Sequence, residues 1–138
     1  MQELLDKPVP IIFAVCEGVQ QLANRTFNLL GIFDRLIIYK LPDGTIADNV
    51  TLQVITCWTG GRGAFEQVIK VLDQDGQPFI ESRSPFTLTG TARHFIISQI
   101  VVPVRERIYT LTLARVGEDE LVRQDFTIEV AAFPGTGP

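Results

Sequence analysis

Side chains able to carry acid–base or nucleophilic chemistry are few in this sequence. A serine or cysteine hydrolase needs a histidine beside its nucleophile, and His94 is the only histidine in the chain. Ser82, Ser84 and Ser98 are candidate nucleophiles, but none lies in a Gly-x-Ser-x-Gly turn. We therefore expect a structural or solvent-facing His94, no catalytic residue and no enzymatic activity. An enzyme acting through His94 and a nearby acid is the remaining alternative.

Patterns typical of metal sites are also missing from the sequence. Cys16 and Cys57 are the only cysteines, and with one histidine at wide spacing they supply no zinc ligand pair. Several acids fall in or near expected turns, where aspartate commonly bonds its own backbone: Asp34, Asp43, Asp48, Asp73 and Asp75. Because no Asp-x-Asp-x-Asp loop with a closing glutamate joins them, we expect no metal and no cofactor. Calcium at these turn acids stays open as an alternative.

The Gly-Gly-Arg-Gly segment at residues 60–63 is of a type that can cradle phosphate. A Walker loop needs Gly-Lys-Ser/Thr, and a dinucleotide loop needs Gly-x-Gly-x-x-Gly, each leading into a helix. A strand pattern follows this segment instead. We therefore expect a hairpin or inter-sheet loop, with Arg62 as an exposed contact residue in an assembly.

Each cysteine lies inside an apolar run, which predicts a reduced and buried thiol. A disulfide between Cys16 and Cys57 would require export of the protein. Residues 1–8 show no basic segment followed by an apolar one, as a secretory signal would have, so we expect a cytoplasmic protein. The apolar runs are far shorter than the ~20 residues of a membrane helix, and we expect no membrane span.

Composition and charge indicate a compact domain with apolar surface left over for contact with a partner. The 138 residues suit one domain with one core. The chain is 46% hydrophobic and carries a net charge of −4, which is far from the composition of a disordered chain. Lysine and arginine are scattered rather than clustered, which disfavours nucleic-acid binding.

Apolar runs separated by turn signals predict a series of short strands. Prolines suit the start of an edge strand over residues 9–19, a loop follows at 20–25, and residues 27–39 form a second strand. Within it, the Leu-Gly-Ile-Phe-Asp segment at residues 30–34 is typical of a buried strand bent at its glycine. The Leu-Pro-Asp-Gly segment at residues 41–44 predicts a turn, since proline presets φ at its second position and glycine admits the positive φ that follows.

The second half of the chain continues the same pattern. Residues 50–58 alternate with period two, and residues 64–73 have apolar positions on both parities. The Asp-Gly pair at residues 75 and 76 predicts a type I′ hairpin that pairs residues 79–83 with 70–73. A short segment at 86–88, a β-branched run at 93–104 and a closing hairpin of residues 108–116 and 121–130 follow.

These elements predict an all-β fold: a two-sheet antiparallel β-sandwich of about eight strands, immunoglobulin-like or jelly-roll. Alternation does not reveal strand order, so the choice between the two topologies stays open. We assign residues 1–8 to an N-terminal extension, 9–130 to a single sandwich domain and 131–138 to a flexible tail. A helix over residues 13–22 is an alternative that Gly18 and the β-branched residues around it oppose.

The order of these features resembles a family of uncharacterised bacterial single-domain proteins of unknown function. The resemblance covers about residues 9–130 and is carried by the Leu-Leu-Gly-Ile-Phe-Asp strand, placed after a first strand and ahead of an Asp-Gly hairpin. It implies a single immunoglobulin-like β-sandwich. It implies no activity and no catalytic residue.

We expect a non-enzymatic interaction or structural module that associates with itself or with another protein, as part of a larger bacterial assembly. High apolar content and strands that are apolar on both faces support this expectation. We expect the two strands at residues 65–72 and 95–102 to share a face, and the candidate interface residues are Arg62, Phe65, Val68, Phe95 and Ile97. The alternative is a small-ligand or lipid-binding sandwich that uses the space between its sheets or a loop-lined end.

Overall fold

A computed structural model of the chain describes residues 7–23, 26–90 and 93–134. These residues form nine β-strands and no helix. The strands are β1 (Val9–Gln21), β2 (Phe27–Ile32), β3 (Arg35–Tyr39), β4 (Asn49–Thr59), β5 (Arg62–Leu72), β6 (Pro78–Thr89), β7 (His94–Pro103), β8 (Arg107–Arg115) and β9 (Val122–Ala131). The alternative of a helix at residues 13–22 is therefore wrong, because β1 covers nearly all of that segment. The expected loop at 20–25 includes residues 24 and 25, which lie outside the described residues.

The strands form two sheets, as an all-β sandwich predicts. Sheet I has the order β2-β1-β4-β7, and all its neighbours are antiparallel. Sheet II has the order β3-β9-β8-β5-β6. Its β3–β9 pair is parallel, whereas its other pairs are antiparallel. The sandwich prediction is confirmed, and the parallel pair and the ninth strand are departures from it.

The core lies between the sheets and is built from alternate residues of their strands. Trp58, Tyr109 and Phe126 are its largest side chains, each exposed by at most 1%. The ring centroids of Trp58 and Phe86 are 5.2 Å apart, and those of Tyr109 and Phe126 are 5.4 Å apart. Burial of an apolar side chain of this class contributes about 1.5–3 kcal/mol to stability. The Trp58–Phe86 contact joins the two sheets, whereas Tyr109 and Phe126 are neighbours within sheet II.

Two polar contacts inside the sandwich fix one sheet against the other. The Oε1 atom of Gln67, on sheet II, accepts hydrogen bonds from Thr56 Oγ1 at 2.7 Å and Trp58 Nε1 at 2.8 Å, both on sheet I. The Tyr109 hydroxyl, near the start of β8, donates to the Pro103 carbonyl at the end of β7, at 3.0 Å. These bonds satisfy Gln67 Oε1 and set the relative position of the sheets, whereas Gln67 Nε2 is buried with no hydrogen-bond partner among the described residues.

The segment at residues 27–39, which the sequence predicts as one bent strand, is two strands in different sheets. Gly31 has φ +64°, in the left-handed region, and the Asp34 carbonyl already accepts a hydrogen bond from Thr127 of sheet II at 2.8 Å. Leu30 and Ile32 are 51% and 60% exposed. The prediction of a special backbone point at Gly31 is confirmed. The prediction of a buried core strand around it is wrong, because β2 is an edge strand that ends where the chain changes sheets.

The Asp-Gly hairpin forms at its predicted place with a different turn. β5 and β6 pair antiparallel, with Val71 opposite Ile80. The Gly76 N–H donates to the Asp73 carbonyl at 3.0 Å, and Gly76 has φ +79°. This is a turn centred on residues 74 and 75 and followed by a left-handed glycine, the three-residue hairpin loop rather than the two-residue type I′ loop. The segments predicted at 79–83 and 86–88 are parts of the single strand β6.

The glycine-rich segment at residues 60–63 carries the chain from sheet I to sheet II, as the inter-sheet loop prediction stated. Gly61 lies flat against the buried Pro8, and a methyl group added there would come within 2.6 Å of the Pro8 nitrogen. The Arg115 guanidinium donates to the Pro8 carbonyl and pairs with Glu118, with Nε 2.8 Å from Oε2. The Arg115 guanidinium, assisted by Lys7, lowers the pKa of the Glu118 carboxyl to about 2. This cluster holds the start of β1 against the rest of the domain.

We predict that Gly61→Ala destabilises the protein by about 1–3 kcal/mol, the usual cost of overpacking a filled position. Gly18→Ala is the matched control, because its added methyl group would meet Leu30 at an ordinary distance of 3.8 Å and its backbone is not left-handed. Urea denaturation of both variants measures the difference. Equal stability of the two variants would show that Pro8 does not pack on Gly61.

Candidate interaction surface on strand β7

The residues that sequence analysis weighed for catalysis do not form a constellation. The His94 ring stacks on Phe86 with centroids 5.7 Å apart, and within the described residues no hydrogen bond joins His94 to a serine or cysteine. His94 and Ser98 are four residues apart on one strand, so their backbones are separated by about 13 Å.

The acids that sequence analysis weighed for calcium are spread over separate turns, and the described part of the chain holds no cluster of three or more potential metal ligands. Asp43 Oδ1 accepts hydrogen bonds from the Thr45 backbone at 3.0 Å and the Thr45 hydroxyl at 2.6 Å. These bonds lower the pKa of the Asp43 carboxyl. Asp73 Oδ1 accepts from the backbone of Asp75 and Gln77. Both acids therefore stabilise their own turns, as aspartates in turns are expected to do.

Both cysteines are free, and both side chains are buried. Burial raises the pKa of the Cys16 and Cys57 thiols, because the thiolate loses its hydration. The Cys16 thiol also donates to the Gln53 carbonyl, with the sulfur 3.6 Å from the oxygen. The two thiols are thus unreactive while the domain is closed.

The five candidate interface residues lie on two strands that belong to different sheets. Arg62, Phe65 and Val68 are in β5 of sheet II, whereas Phe95 and Ile97 are in β7 of sheet I. The expectation that these strands share one face is wrong for that reason. The Phe65 ring turns inward against Phe86, with centroids 5.8 Å apart. Val68 is 6% exposed and lies apart from the main core, among polar side chains on sheet II.

The exposed part of the candidate surface lies on strand β7. Its side chains alternate strictly between the sandwich interior and the outside, with Ile100 and Val102 buried. Phe95 is 36%, Ile97 40% and Val101 53% exposed. Val101 is not among the predicted interface residues, although the alternation from Phe95 onward places it on the same face.

From His94 to Val102 the free edge of β7 carries no charge, proline or bulge that would hinder pairing with another strand; its one proline, Pro103, is the last residue of the strand. Among the described residues β7 pairs with β4 alone, and no acidic residue, lysine or arginine occurs from His94 to Pro103. Edge strands are usually protected by charges, prolines or bulges. The β6 edge of sheet II has such protection, with Glu81, Arg83 and Pro85. The contrast with β6 marks β7 as an unprotected edge, longer than the equally uncharged β2 at the other side of sheet I.

The hairpin formed by the second half of β1 and β2 folds back over the outer face of sheet I. β1 pairs with β4 only as far as Cys16 opposite Gln53, and five more residues lead to Gln21, which pairs with Phe27. A straight continuation would place Phe27 about 30 Å from Phe95, given ~3.3 Å per residue. The two ring centroids are in fact 5.0 Å apart. The hairpin therefore bends across β4 to reach β7.

The folded-back hairpin explains why the outer face of sheet I is buried at its centre. Ile55 and Cys57 share that face with Ile97 and Phe95, their partners on β7, yet they are only 2% and 0% exposed. Phe27 is half-buried, and its ring lies on this face. The hairpin thus covers the β4 part of the face and leaves the outer part of β7 open.

A known family covers most of the chain. A family model with the description "Family of unknown function (DUF6941)" matches residues 11–129. The chain therefore belongs to that family of unknown function. No curated protein matches the chain. The described residues include no helix with the length and apolar character needed to cross a membrane.

We predict that Phe27→Ala speeds modification of Cys57 by Ellman's reagent about tenfold under native conditions. Loss of the ring contact with Phe95 should lower the free energy of opening the hairpin by about 1.4 kcal/mol, which is a factor of ten in the open population. Mass mapping of the labelled peptides separates Cys57 from Cys16.

Leu30→Ala is the matched control for this measurement, because Leu30 belongs to the same strand but is 51% exposed. Cys57 of the Leu30→Ala variant should react with Ellman's reagent at the same rate as Cys57 of the natural sequence. Equal rates for the two variants would mean that the hairpin does not shield Cys57.

Proposed function

We propose that the protein is a non-enzymatic interaction module that associates with a second copy of itself through β7. The observation that carries the proposal is the combination of a free, uncharged edge with Phe95, Ile97 and Val101 exposed beside it. Exposed apolar side chains next to open backbone donors and acceptors are what strand addition between two chains requires.

A second copy fits this edge because antiparallel strand pairing is self-complementary. In a two-fold dimer each β7 presents the same surface to the other, and sheet I would continue from one protomer into the next. The uncharged strand brings no like charges together, although the chain carries a net charge of −4. The outward Phe95, Ile97 and Val101 of both strands would then line one side of the joined sheet, with Gln99 between them and Phe27 packed at the border.

We further infer that the sandwich has immunoglobulin-like topology. In the notation of that fold, β1, β4 and β7 stand in the places of strands A, B and E, and β5, β6, β8 and β9 in those of C, C′, F and G. The hydrogen bond from Tyr109 near the start of β8 to the Pro103 carbonyl resembles a tyrosine corner. The buried Leu111 stands where an antibody domain has its second cysteine.

The setting we propose is a reducing compartment, as for a cytoplasmic component of a bacterial assembly. The free, buried thiols of Cys16 and Cys57 support it. The alternative of ligand binding between the sheets receives no support from the interior, which Trp58, Tyr109 and Phe126 fill. A loop-lined end of the sandwich is the better place for a ligand.

We predict that Ile97→Lys lowers the native mass in light scattering from that of a dimer to the monomer mass of 15.4 kDa. A lysine on each β7 would place like charges in the pairing edge and remove an apolar contact. Ile37→Lys is the matched control, because Ile37 has the same 40% exposure and lies on the edge strand β3 of the other sheet.

The control variant should keep the native mass of the natural sequence at every concentration. Circular dichroism confirms that both variants are folded. A natural protein that stays monomeric up to millimolar concentration, or an Ile97→Lys variant that stays dimeric, would contradict the proposal.

A further inference from the structure

A cleft of about 260 Å³ opens at the end of the sandwich where the β5–β6 turn meets the connection between β7 and β8. The residues that line it combine two arginines, two aromatic rings, a proline and one acid: Asp73, Phe79, Pro103, Arg105, Arg107 and Tyr109. The volume suits a group of the size of a benzyl ring with one polar substituent, smaller than the usual drug-sized site.

The two arginines of the cleft have no acidic partner within the described residues. Arg35, Arg83, Arg115 and Arg123 each pair with a glutamate, whereas no such pair includes Arg105 or Arg107. The Nε atom of Arg107 is moreover buried without a hydrogen-bond partner. A buried donor left unpaired costs about 1–3 kcal/mol, so a ligand oxygen that accepted this hydrogen bond would relieve that cost.

The apolar wall of the cleft is the Phe79 ring, which is 42% exposed. Its inner side packs on the buried Tyr109, with ring centroids 5.7 Å apart. The Tyr109 hydroxyl donates to the Pro103 carbonyl. Burial raises the pKa of that hydroxyl, and the charges of Arg107 and Arg105 oppose the rise. Both guanidinium groups therefore lie near Tyr109.

One acid lines this cleft, and its negative charge limits the net negative charge of a ligand that can bind there. Asp73 lines it, and its Oδ1 atom accepts hydrogen bonds from the Asp75 and Gln77 backbone at 2.9 Å and 3.0 Å. Two arginines against one aspartate leave an excess of one positive charge on an otherwise acidic protein. A single negative charge matches that excess better than a phosphate dianion does.

We propose that this cleft binds a carboxylate joined to an apolar or aromatic group. A guanidinium matches a carboxylate through two parallel hydrogen bonds, and the exposed Phe79 ring receives the apolar part. Two kinds of ligand carry such a carboxylate: a free small acid and the C-terminal residue of a peptide.

Titrations followed by protein NMR test the proposal with two acids, phenylacetate and the peptide acetyl-Ala-Ala-Phe with a free carboxylate. The primary amides of both probes are the matched controls, since they keep the apolar group and lose the charge. We expect at least one acid to bind with a dissociation constant of about 1 mM or lower and at least tenfold more tightly than its amide. Shifts should centre on Phe79 and Arg107.

Arg107→Gln should weaken binding of that acid at least tenfold, and Arg107→Lys should weaken it less, because lysine keeps the charge without the planar fork. Arg93→Gln, at the opposite end of β7, should leave binding unchanged. Tighter binding of the peptide than of phenylacetate would indicate a chain terminus, and the reverse would indicate a free acid. Equal binding of acids and amides, tighter binding of inorganic phosphate, or unchanged binding by Arg107→Gln would overturn the proposal.

Discussion

The buried carboxamide of Gln67 is the contact on which the arrangement of the two sheets depends. It accepts hydrogen bonds from Thr56 and Trp58, so β4 of sheet I and β5 of sheet II are fixed face to face although only two glycines join them. The stack of Trp58 on Phe86 then packs beside it. β7 pairs with β4 and β6 pairs with β5, so the two strands joined by this contact each lie beside a free edge of the sandwich.

Local patterns in the sequence were enough to predict most strands and turns. Alternation located β4, a β-branched run located β7, and the Pro-Asp-Gly and Asp-Gly segments marked the turns at residues 41–44 and 73–77. What local pattern could not predict was the passage from sheet I to sheet II at Phe33 and Asp34. A strand that continues and a strand that crosses to the other sheet have the same alternation, and the parallel pairing of β3 with β9 depends on contacts far along the chain. The prediction that the strand around Gly31 is buried was wrong for the same reason.

The sequence predicted only part of the candidate surface. The exposure of Phe95 and Ile97 follows from the alternation of β7, but β5 is apolar on both parities, so its sequence does not show which side chains are exposed. Phe65 turns inward against Phe86, and Val68 is only 6% exposed among polar side chains of sheet II. The hairpin over sheet I depends on a bend beyond Cys16 that no local motif specifies. The arginine cleft joins residues from Asp73 to Tyr109, which only the folded chain brings together.

Concentration-dependent amide hydrogen exchange of β7 is the most direct test of the claim that this edge is a pairing surface. In an antiparallel edge strand, part of the N–H groups bond the neighbouring strand and the rest point to the open side. The outward amides of β7 should exchange fast at low protein concentration and become protected as the concentration rises, while those of the charged β6 edge stay unprotected throughout. Exchange at β7 that is the same at every concentration would contradict the self-association through this strand.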